Sequence, residues 1–581
     1  MSSEFSLKRY LPILVWARRY DRSRFTDDSI AAVIVAIMII PQALAYAMVA
    51  GLPAQSGLYA AMMGLTIYAL FGTSNTLSVG PVAVLSLMTA AALGKLSLGD
   101  PAAYLLAAAV LAVLSGAMLL LLGLLRLGFM ANFISHPVVS AFITASAIII
   151  ACSQLRYLLG VEADGENLLE LVHALFLVLP ETNLLTLALG LCAIAVILFC
   201  SIALKKILLA QGVNERLATS LSRSGPVLAA VSMALAARVF ALDEQGVQLL
   251  GEVPAGLPEM SFPELSFDLL RSLWGSALLI AIIGFVESVS VAQVMAARRR
   301  ERINLDQELV GLGASNIASG IAGGFPVTGG FSRSVVNFQA GAATPAAGAF
   351  TALLIALVAL LFTPALYWLP RVCLAAIILV AVLPLIDFSM LWRSWRYAKS
   401  DFIAVCLTLG MTLLIGVEIG IAAGVLASVF IHLYKTSQPH VAVVGRVAGT
   451  EHFRNVQRHK VETFEGLLSI RVDESLYFAN SRYLEELVFK LVAKKPNLEH
   501  VILMCTAVNE IDLSALEALD NINHTLNEIG IKLHLSEVKG PIMDRLGSTG
   551  FFKTLTGNNY LSHNQAVEDL RHQIGQPSDS E

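Results

Sequence analysis

Read for hydrophobic and polar positions alone, the first 436 residues are long apolar blocks separated by short charged or Pro/Gly-rich breaks. The blocks fall near 29–50, 53–71, 80–94, 101–125, 128–152, 184–204, 225–241, 270–297, 308–322, 331–341, 343–369, 371–385, 401–415 and 417–434. A membrane-crossing helix needs about 20 apolar residues. Ser29 to Gly94 alone runs 66 residues without Asp, Glu, Lys or Arg, so it holds two or three crossings. Fourteen blocks, an even number, return the chain to its starting side. The basic connections at Arg126, Lys205 with Lys206, Arg216 with Arg223, Arg298 to Arg300 with Arg302, and Arg393, Arg396 with Lys399 all follow even-numbered blocks. They fall on one side together with Lys8, Arg9, Arg18, Arg19, Arg22 and Arg24, and the positive-inside rule makes that side cytoplasmic. No short hydrophobic core followed by a small-residue cleavage site marks a signal peptide.

Beyond residue 436 the pattern changes. Short apolar strands at VAVVGRV, EGLLSIRV, HVILMCTAV and IKLHLSEV alternate with helical stretches at Ser481 to Val492, Ser514 to Ile529 and Pro541 to Leu546. Charge follows the same boundary: 33 charged residues lie in 437–581 and 49 in the first 436. The predicted organisation is a cytoplasmic segment 1–28, a membrane domain 29–436, a soluble α/β domain 437–575 and a polar tail 576–581. Overall 56% of residues are hydrophobic and 14% charged, against about 25% charged in soluble domains. This balance fits poorly with a secreted protein, a nucleic-acid binder or a singly anchored receptor. Six scattered cysteines with no CxxC pair read as small core residues, not a disulfide or metal framework. Neither HExxH nor GxxxxGK[ST] occurs, so no enzyme, metal or cofactor chemistry and no ATP-driven pumping by this chain is expected.

Two blocks are too short to span. The stretches after Gly80-Pro81 and after Gly329-Gly330 run about a dozen residues each, against about 20 for a crossing. They are third and tenth, seven blocks apart. Short, Gly/Pro-interrupted segments at corresponding places in two halves point to an inverted-repeat transporter whose broken helices form the substrate site. The competing reading is close packing of ordinary helices, in which glycine is common. A half-helix starting in mid-membrane points unpaired N–H groups and its positive dipole end into a cavity, which suits an anion. Val82 and Ala83 would supply donors on one side; Phe331, Ser332 and Arg333 on the other. Ser332 adds a hydroxyl, and Arg333 a cation able to hold an oxyanion by two parallel hydrogen bonds. Alternatively Arg333 snorkels or pairs with an acidic helix residue.

The acidic candidate is Glu287, inside a charge-free run from Trp274 to Ala297. A carboxylate there must be paired, cavity-facing or protonated, because desolvation disfavours its charged form. Arg333 is the partner of matching charge, and a carboxyl group alternating between paired and protonated states can couple a carrier to protons. One repeat earlier stands Gln42, a neutral donor, with Tyr46 four residues on and on the same helix face. Ordinary interhelical hydrogen bonding would account equally for both.

PQALAYA in the first block, GTSNTLSVGPVAVLSLM leading into the third, and NLDQELVGLGASNIASGIAGGFPVTGGFSRSVVN around the ninth and tenth resemble the sulfate permease (SulP) family, related to the animal multifunctional anion exchangers and prestin. The resemblance implies a polytopic α-helical fold of fourteen segments in two inverted repeats of seven, with a core (segments 1–4 and 8–11) and a gate (5–7 and 12–14). It also implies a homodimer, an elevator-like displacement of the core, and an anion site at Gln42, Tyr46, Val82, Ala83, Phe331, Ser332 and Arg333, with Glu287 as the site acid. Sodium-coupled bicarbonate carriers of the family place Thr where this chain has Val291 and Phe331. Two hard oxygen ligands for sodium are thereby lost, and Glu with Ser-Arg resembles the plant sulfate carriers, where protons are the natural coupling ion. The tail is similar to a STAS domain, shared with anti-sigma-factor antagonists in which a loop Ser is phosphorylated; Asp512 and Ser514 stand at that position. Simple capping of the helix by these two residues is the competing reading.

The function expected is proton-coupled uptake of a small inorganic oxyanion, sulfate above all, across a bacterial inner (plasma) membrane with both termini cytoplasmic. Bicarbonate or a C4-dicarboxylate is the rival cargo; exchange, an anion channel, or a sensor with STAS as output are the rival activities. The expected partners are the anion, its proton, the bilayer, a second copy and a protein contacting the STAS domain, and no nucleic acid.

Overall fold

Each of the fourteen apolar blocks contributes a helix to the computed structural model, which describes residues 11–575 except 97–98, 134, 164, 166, 215–217, 219–220, 223 and 253. Lys8, Arg9, Arg216, Arg223 and the tail 576–581 lie outside the described residues. Two units are present, Met1–Ser428 and Val429–Glu581. The first holds α1 (Arg22–Val49), α2 (Ala54–Phe71), β1 (Val79–Gly80), α3 (Ala83–Gly94), α4 (Pro101–Leu124), α5 (His136–Leu159), α6 (Leu184–Phe199) and α7 (Gly225–Val239). It continues with α8 (Phe267–Arg299), α9 (Leu305–Ile321), β2 (Thr328–Gly329), α10 (Phe331–Ala340), α11 (Ala346–Leu361), α12 (Arg371–Val382), α13 (Lys399–Leu414) and α14 (Val417–Ser437), the last running on into the second unit. Among the described residues, seven helical spans are long and apolar enough to cross a membrane.

Some boundaries moved. α1 starts at Arg22 because the Asp21 carboxylate accepts the Arg24 N–H at 2.9 Å and caps it there. α5 starts at His136, after a 3-10 turn over Gly128–Phe133 that the apolar block had merged with it. The short helices Leu168–Val178 and Ser389–Tyr397 were not predicted, because they lie in connections where apolar and polar residues mix.

Leu184, Leu191, Val231, Leu235, Leu353 and Ile403 are exposed around the bundle, as lipid-facing side chains must be. Inside it, small residues bring backbones together. A Cβ on Gly116 of α4 would stand 2.7 Å from the Gly313 carbonyl of α9, and one on Gly313 would stand 2.7 Å from the Gly116 carbonyl. Only glycine permits this reciprocal approach, and it locks α4 to α9 beside the broken segments. An apolar core of Ile39, Leu44, Leu58, Ile150, Ile197, Ile355 and Ile377 joins α1 and α2 to α5, α6, α11 and α12.

The second unit is a six-stranded mixed sheet in the order β4-β3-β5-β6-β7-β8. It is built from β3 (Val441–Arg446), β4 (Phe453–Asn455), β5 (Leu467–Val472), β6 (His500–Met504), β7 (Lys532–Ser536) and β8 (Asn559–Tyr560). β3 is antiparallel to both neighbours, whereas β5 to β8 run parallel. Parallel neighbours need crossovers, supplied by α15 (Ser481–Val492), α16 (Leu513–Glu528) and α17 (Gly540–Thr549). α18 (His563–Gln573) follows β8. The four strands predicted are present; β4 and β8 are too short to leave a periodic signal.

Candidate anion-binding site

β1 and β2 pair antiparallel, Val79 opposite Gly329 and Gly80 opposite Thr328. Pro81 follows β1 at once and has no N–H with which to extend the ladder. From this crossing α3 and α10 start, their N-cap positions held by Val82 and Gly330 in extended conformation, with no side-chain cap on either. The first helical bonds run from Ser86 N–H to the Val82 carbonyl and from Ser334 N–H to the Gly330 carbonyl, each 3.0 Å. The N–H groups of Ala83, Val84 and Leu85, and of Phe331, Ser332 and Arg333, therefore have no acceptor within their helices. Two such ends each carry roughly half a positive charge, which is the physical basis of anion binding by helix N-termini. Val82 is a cap residue, so the donor set on this side begins at Ala83 and extends to Leu85, beyond the predicted pair.

Side chains tie the two broken segments together. Ser78 N–H donates to Ser334 Oγ at 3.0 Å, Gly330 N–H to the Ser78 carbonyl at 3.1 Å, and Asn337 Nδ2 to the Thr76 carbonyl at 3.1 Å. α8 is fixed to β2 by a directional chain. Gly329 N–H donates to Ser288 Oγ at 2.7 Å, Ser288 lies 2.5 Å from Thr328 Oγ1, and Thr328 donates to the Gly284 carbonyl at 2.5 Å. With Thr328 giving its one proton to Gly284, Ser288 must be the donor between the hydroxyls. Asn316 of α9 clamps the entry to β2 through both its amide atoms, to Val327 N–H at 2.8 Å and the Val327 carbonyl at 2.9 Å. None of these residues was predicted. Their signal in sequence is weak, since buried Ser, Thr and Asn occur throughout membrane helices.

Arg333 is 2% exposed. Its Nη1 donates to the Pro81 carbonyl at 2.6 Å, while Nε and Nη2 are buried without a partner. The guanidinium lies against Gly330, where a Cβ would come within 2.8 Å of Nη2, and beside Gly80, where a Cβ would lie 3.4 Å from Nη2 and 3.3 Å from Ile39 Cδ1. Ile39 thus places α1 next to the cation, and Gln42, less than a turn onward, is buried with Oε1 unpartnered. Tyr46 is also buried and shares an apolar cluster with Ala83. Glu287 Oε2 is buried without a partner. Tyr46, Glu287 and Arg333 lie close enough to act on one another electrostatically. Among the described residues no ion pair joins Glu287 to Arg333, so the expected pairing is a proximity and not a contact. Val82 and Ala83 are buried, whereas Phe331 is 51% exposed and Ser332 is exposed. Unsatisfied backbone and guanidinium donors thus lie at the two helix ends, with the unpartnered Gln42 carbonyl oxygen and one acidic group among the buried polar groups.

In the sheet unit, Asp512 caps α16: its carboxylate accepts Ala515 N–H and Phe478 N–H, both at 2.8 Å. Ser514, the second residue of that helix, is exposed in its first turn.

Residues 25–408 match the Sulfate permease family and residues 458–566 the STAS domain. A probable sulfate transporter 4.2 of Arabidopsis thaliana is 34% identical over 98% of this chain and 85% of its own length. A probable sulfate transporter of Mycobacterium tuberculosis is 32% identical over 94% of this chain and 97% of its own. In fold the chain is similar to SLC26A9, with a TM-score of 0.87, 22% identity and 98% and 94% of the two chains covered. It is also similar to the transmembrane domain of the cyanobacterial bicarbonate transporter BicA, at TM-score 0.59 and 23% identity over 71% and 98%.

Proposed function

The chain belongs to the sulfate permease family of anion transporters, a multi-pass membrane protein with a C-terminal STAS domain, and we propose that it takes up sulfate with protons by an elevator-like displacement of its core. The observation that carries this reading is the convergence of two uncapped helix N-termini on the unpartnered Nε and Nη2 of Arg333. A tetrahedral dianion can accept from the amides of Ala83 to Leu85 on one side and Phe331 to Arg333 on the other, with Ser332 adding a hydroxyl. Nε and Nη2 form one edge of the guanidinium and offer two parallel donors to one oxyanion, while Nη1 stays on Pro81. Gln42 and Tyr46 close the site from α1. Arg333 thus both braces the two half-helices and supplies the fixed cation.

Glu287 is the proton carrier in this reading. A carboxylate beside an incoming dianion opposes it, and a protonated one does not, so anion and proton enter together. Val291 and Phe331 offer no oxygen to sodium, which supports protons as the coupling ion. The protein would act as a homodimer in a bacterial inner membrane with both termini cytoplasmic. Ser514, exposed beside the α16 N-terminus, is the candidate phosphorylation point through which a STAS partner would act. The test is reconstitution into vesicles with an imposed pH gradient. Sulfate uptake stimulated by inside-alkaline vesicles is expected; robust bicarbonate or succinate uptake without sulfate uptake overturns the choice of cargo, and unitary currents overturn the carrier mechanism.

A further inference from the structure

We propose that a basic cavity at the start of α1, separate from the transport site, binds a phosphate-bearing anion. Among the described residues it has a volume of about 740 Å³, within the range of about 300–1,000 Å³ typical of small-molecule sites. Arg19, Arg24 and Arg299 line it, with Trp16, Thr344 and Glu301 between them. Three cations thus meet one carboxylate, and that carboxylate is engaged: Glu301 Oε2 accepts from Asn75 Nδ2 at 3.1 Å. Among the described residues neither the Arg19 nor the Arg24 side chain has an ion pair or hydrogen bond. Arg299 stacks over Phe338, its Cζ 5.0 Å from the ring centroid, which leaves the in-plane N–H fork for an acceptor. Guanidinium groups gathered around one open pocket, with Arg19 exposed and Arg24 and Arg299 half-buried, repel one another and draw in an anion, and planar forks match phosphate.

The walls come from the residues before and at the start of α1, the C-terminal end of α8, the start of α9 and the connections preceding β1, α9 and α11, and no wall residue belongs to the proposed anion site. Their level in the membrane is set by α1. Phe25 and Ile30 are exposed apolar residues following Arg24, and at 1.5 Å per residue Arg24 stands roughly 9 Å from Ile30 along the axis. Leu14 and Val15 are exposed beside Trp16. Arg and Trp flanking an apolar surface mark the headgroup level. The shared chemistry is a phosphate, which an anionic phospholipid headgroup or free inorganic phosphate can supply.

The experiment uses the full-length protein and compares it with an Arg19→Gln/Arg24→Gln variant, neither residue being part of the transport site. Native mass spectrometry counts retained phosphatidic acid against phosphatidylcholine, and thermal unfolding is followed with phosphatidic acid or inorganic phosphate added. At roughly fivefold in affinity per neutralised Arg near a membrane surface, about 1 kcal/mol each, the double variant is expected to bind about 30-fold more weakly. An Arg19→Lys/Arg24→Lys variant, which keeps the charge and loses the planar forks, should bind between wild type and the Gln variant, and Arg299→Gln gives a second, independent loss. Loss for phosphatidic acid alone assigns the site to lipid; loss for inorganic phosphate in detergent assigns it to the free ion. Wild-type and Gln variants that retain both probes equally, or a wild-type protein stabilised by neither, overturn the proposal.

Discussion

Gly330→Ala isolates the role of the Arg333 guanidinium without removing it. Gly330 has φ of −82°, so alanine introduces no backbone strain. Its Cβ would meet Nη2 at 2.8 Å, Cζ at 2.9 Å and Nε at 3.1 Å. The guanidinium must withdraw by about 0.6 Å to reach van der Waals contact near 3.4 Å, and it is buried, with no solvent to retreat into. The 2.6 Å bond to the Pro81 carbonyl and the Nε–Nη2 edge proposed to hold the anion are both disturbed. A hydrogen bond to a charged group is worth about 1.5–3 kcal/mol, so KM for sulfate should rise roughly 10- to 150-fold. Gly80→Ala is the graded control: its Cβ would lie 3.4 Å from Nη2, an ordinary contact, and 3.3 Å from the movable Ile39 Cδ1. It should change KM by less than about fivefold, the equivalent of about 1 kcal/mol. The assay is initial-rate sulfate uptake into vesicles, with thermal unfolding in detergent to check folding. A Gly330→Ala protein with unchanged KM, or two variants with equal losses, would refute the placement of Arg333 as the anion's cation.

Arg333→Ala should abolish sulfate binding, measured by isothermal titration, while Glu287→Gln should keep sulfate exchange and lose its dependence on the pH gradient; equal loss of both activities would make Glu287 structural. Ser288→Ala leaves the Gly329 N–H without an acceptor in a fully buried place and takes away one of the two bonds of the Thr328 hydroxyl, which keeps only the Gly284 carbonyl. At about 1–3 kcal/mol per unsatisfied group, it should lower the unfolding midpoint more than Thr328→Ser, which keeps the hydroxyl chain. In the STAS domain, burial pushes His534 down to about 4, with His500 and Lys532 adding to it, and burial pushes His563 down to about 4 against the opposing pull of Glu537. Their unfolded forms titrate near 6.5, so the unfolded chain binds more protons and stability is complete above that pH. It should fall as pH drops from about 6.5 towards 4, by up to about 1.4 kcal/mol per unit for each histidine; denaturant unfolding of residues 439–575 at several pH values checks it, and a flat profile counts against their neutral burial.

Helix count and the breaks at Gly80-Pro81 and Gly329-Gly330 were legible in sequence because each rests on a property of residue type: apolar length, missing N–H, missing Cβ. The helix before residue 29 was not, because Arg22 and Arg24 read as loop until the Asp21 cap is seen. The amphipathic helix Leu168–Val178 escaped for the same reason, being held by Asn167 and not by membrane-length hydrophobicity. Asp512 was open to two readings, a regulatory position and a helix cap, and its carboxylate does cap α16, serving two backbone amides.

The proposed anion site sits at the limit of what residue identity can carry. Val82, Ala83 and Phe331 have no side-chain chemistry suited to an anion, and what they contribute is position at a helix end. That position is enforced by groups elsewhere: Ser288 and Thr328 hold α8 on β2, Ser334 holds Ser78, and Asn316 holds Val327. Substituting Val82 or Ala83 by another apolar residue of similar size should therefore alter affinity little, whereas removing a hydroxyl one layer back should cost more, since it misaims three amides at once. The sequence offers Arg333 and Glu287 as the conspicuous charges, but the roles proposed for them depend on neutral residues that aim two helix N-termini at the same place.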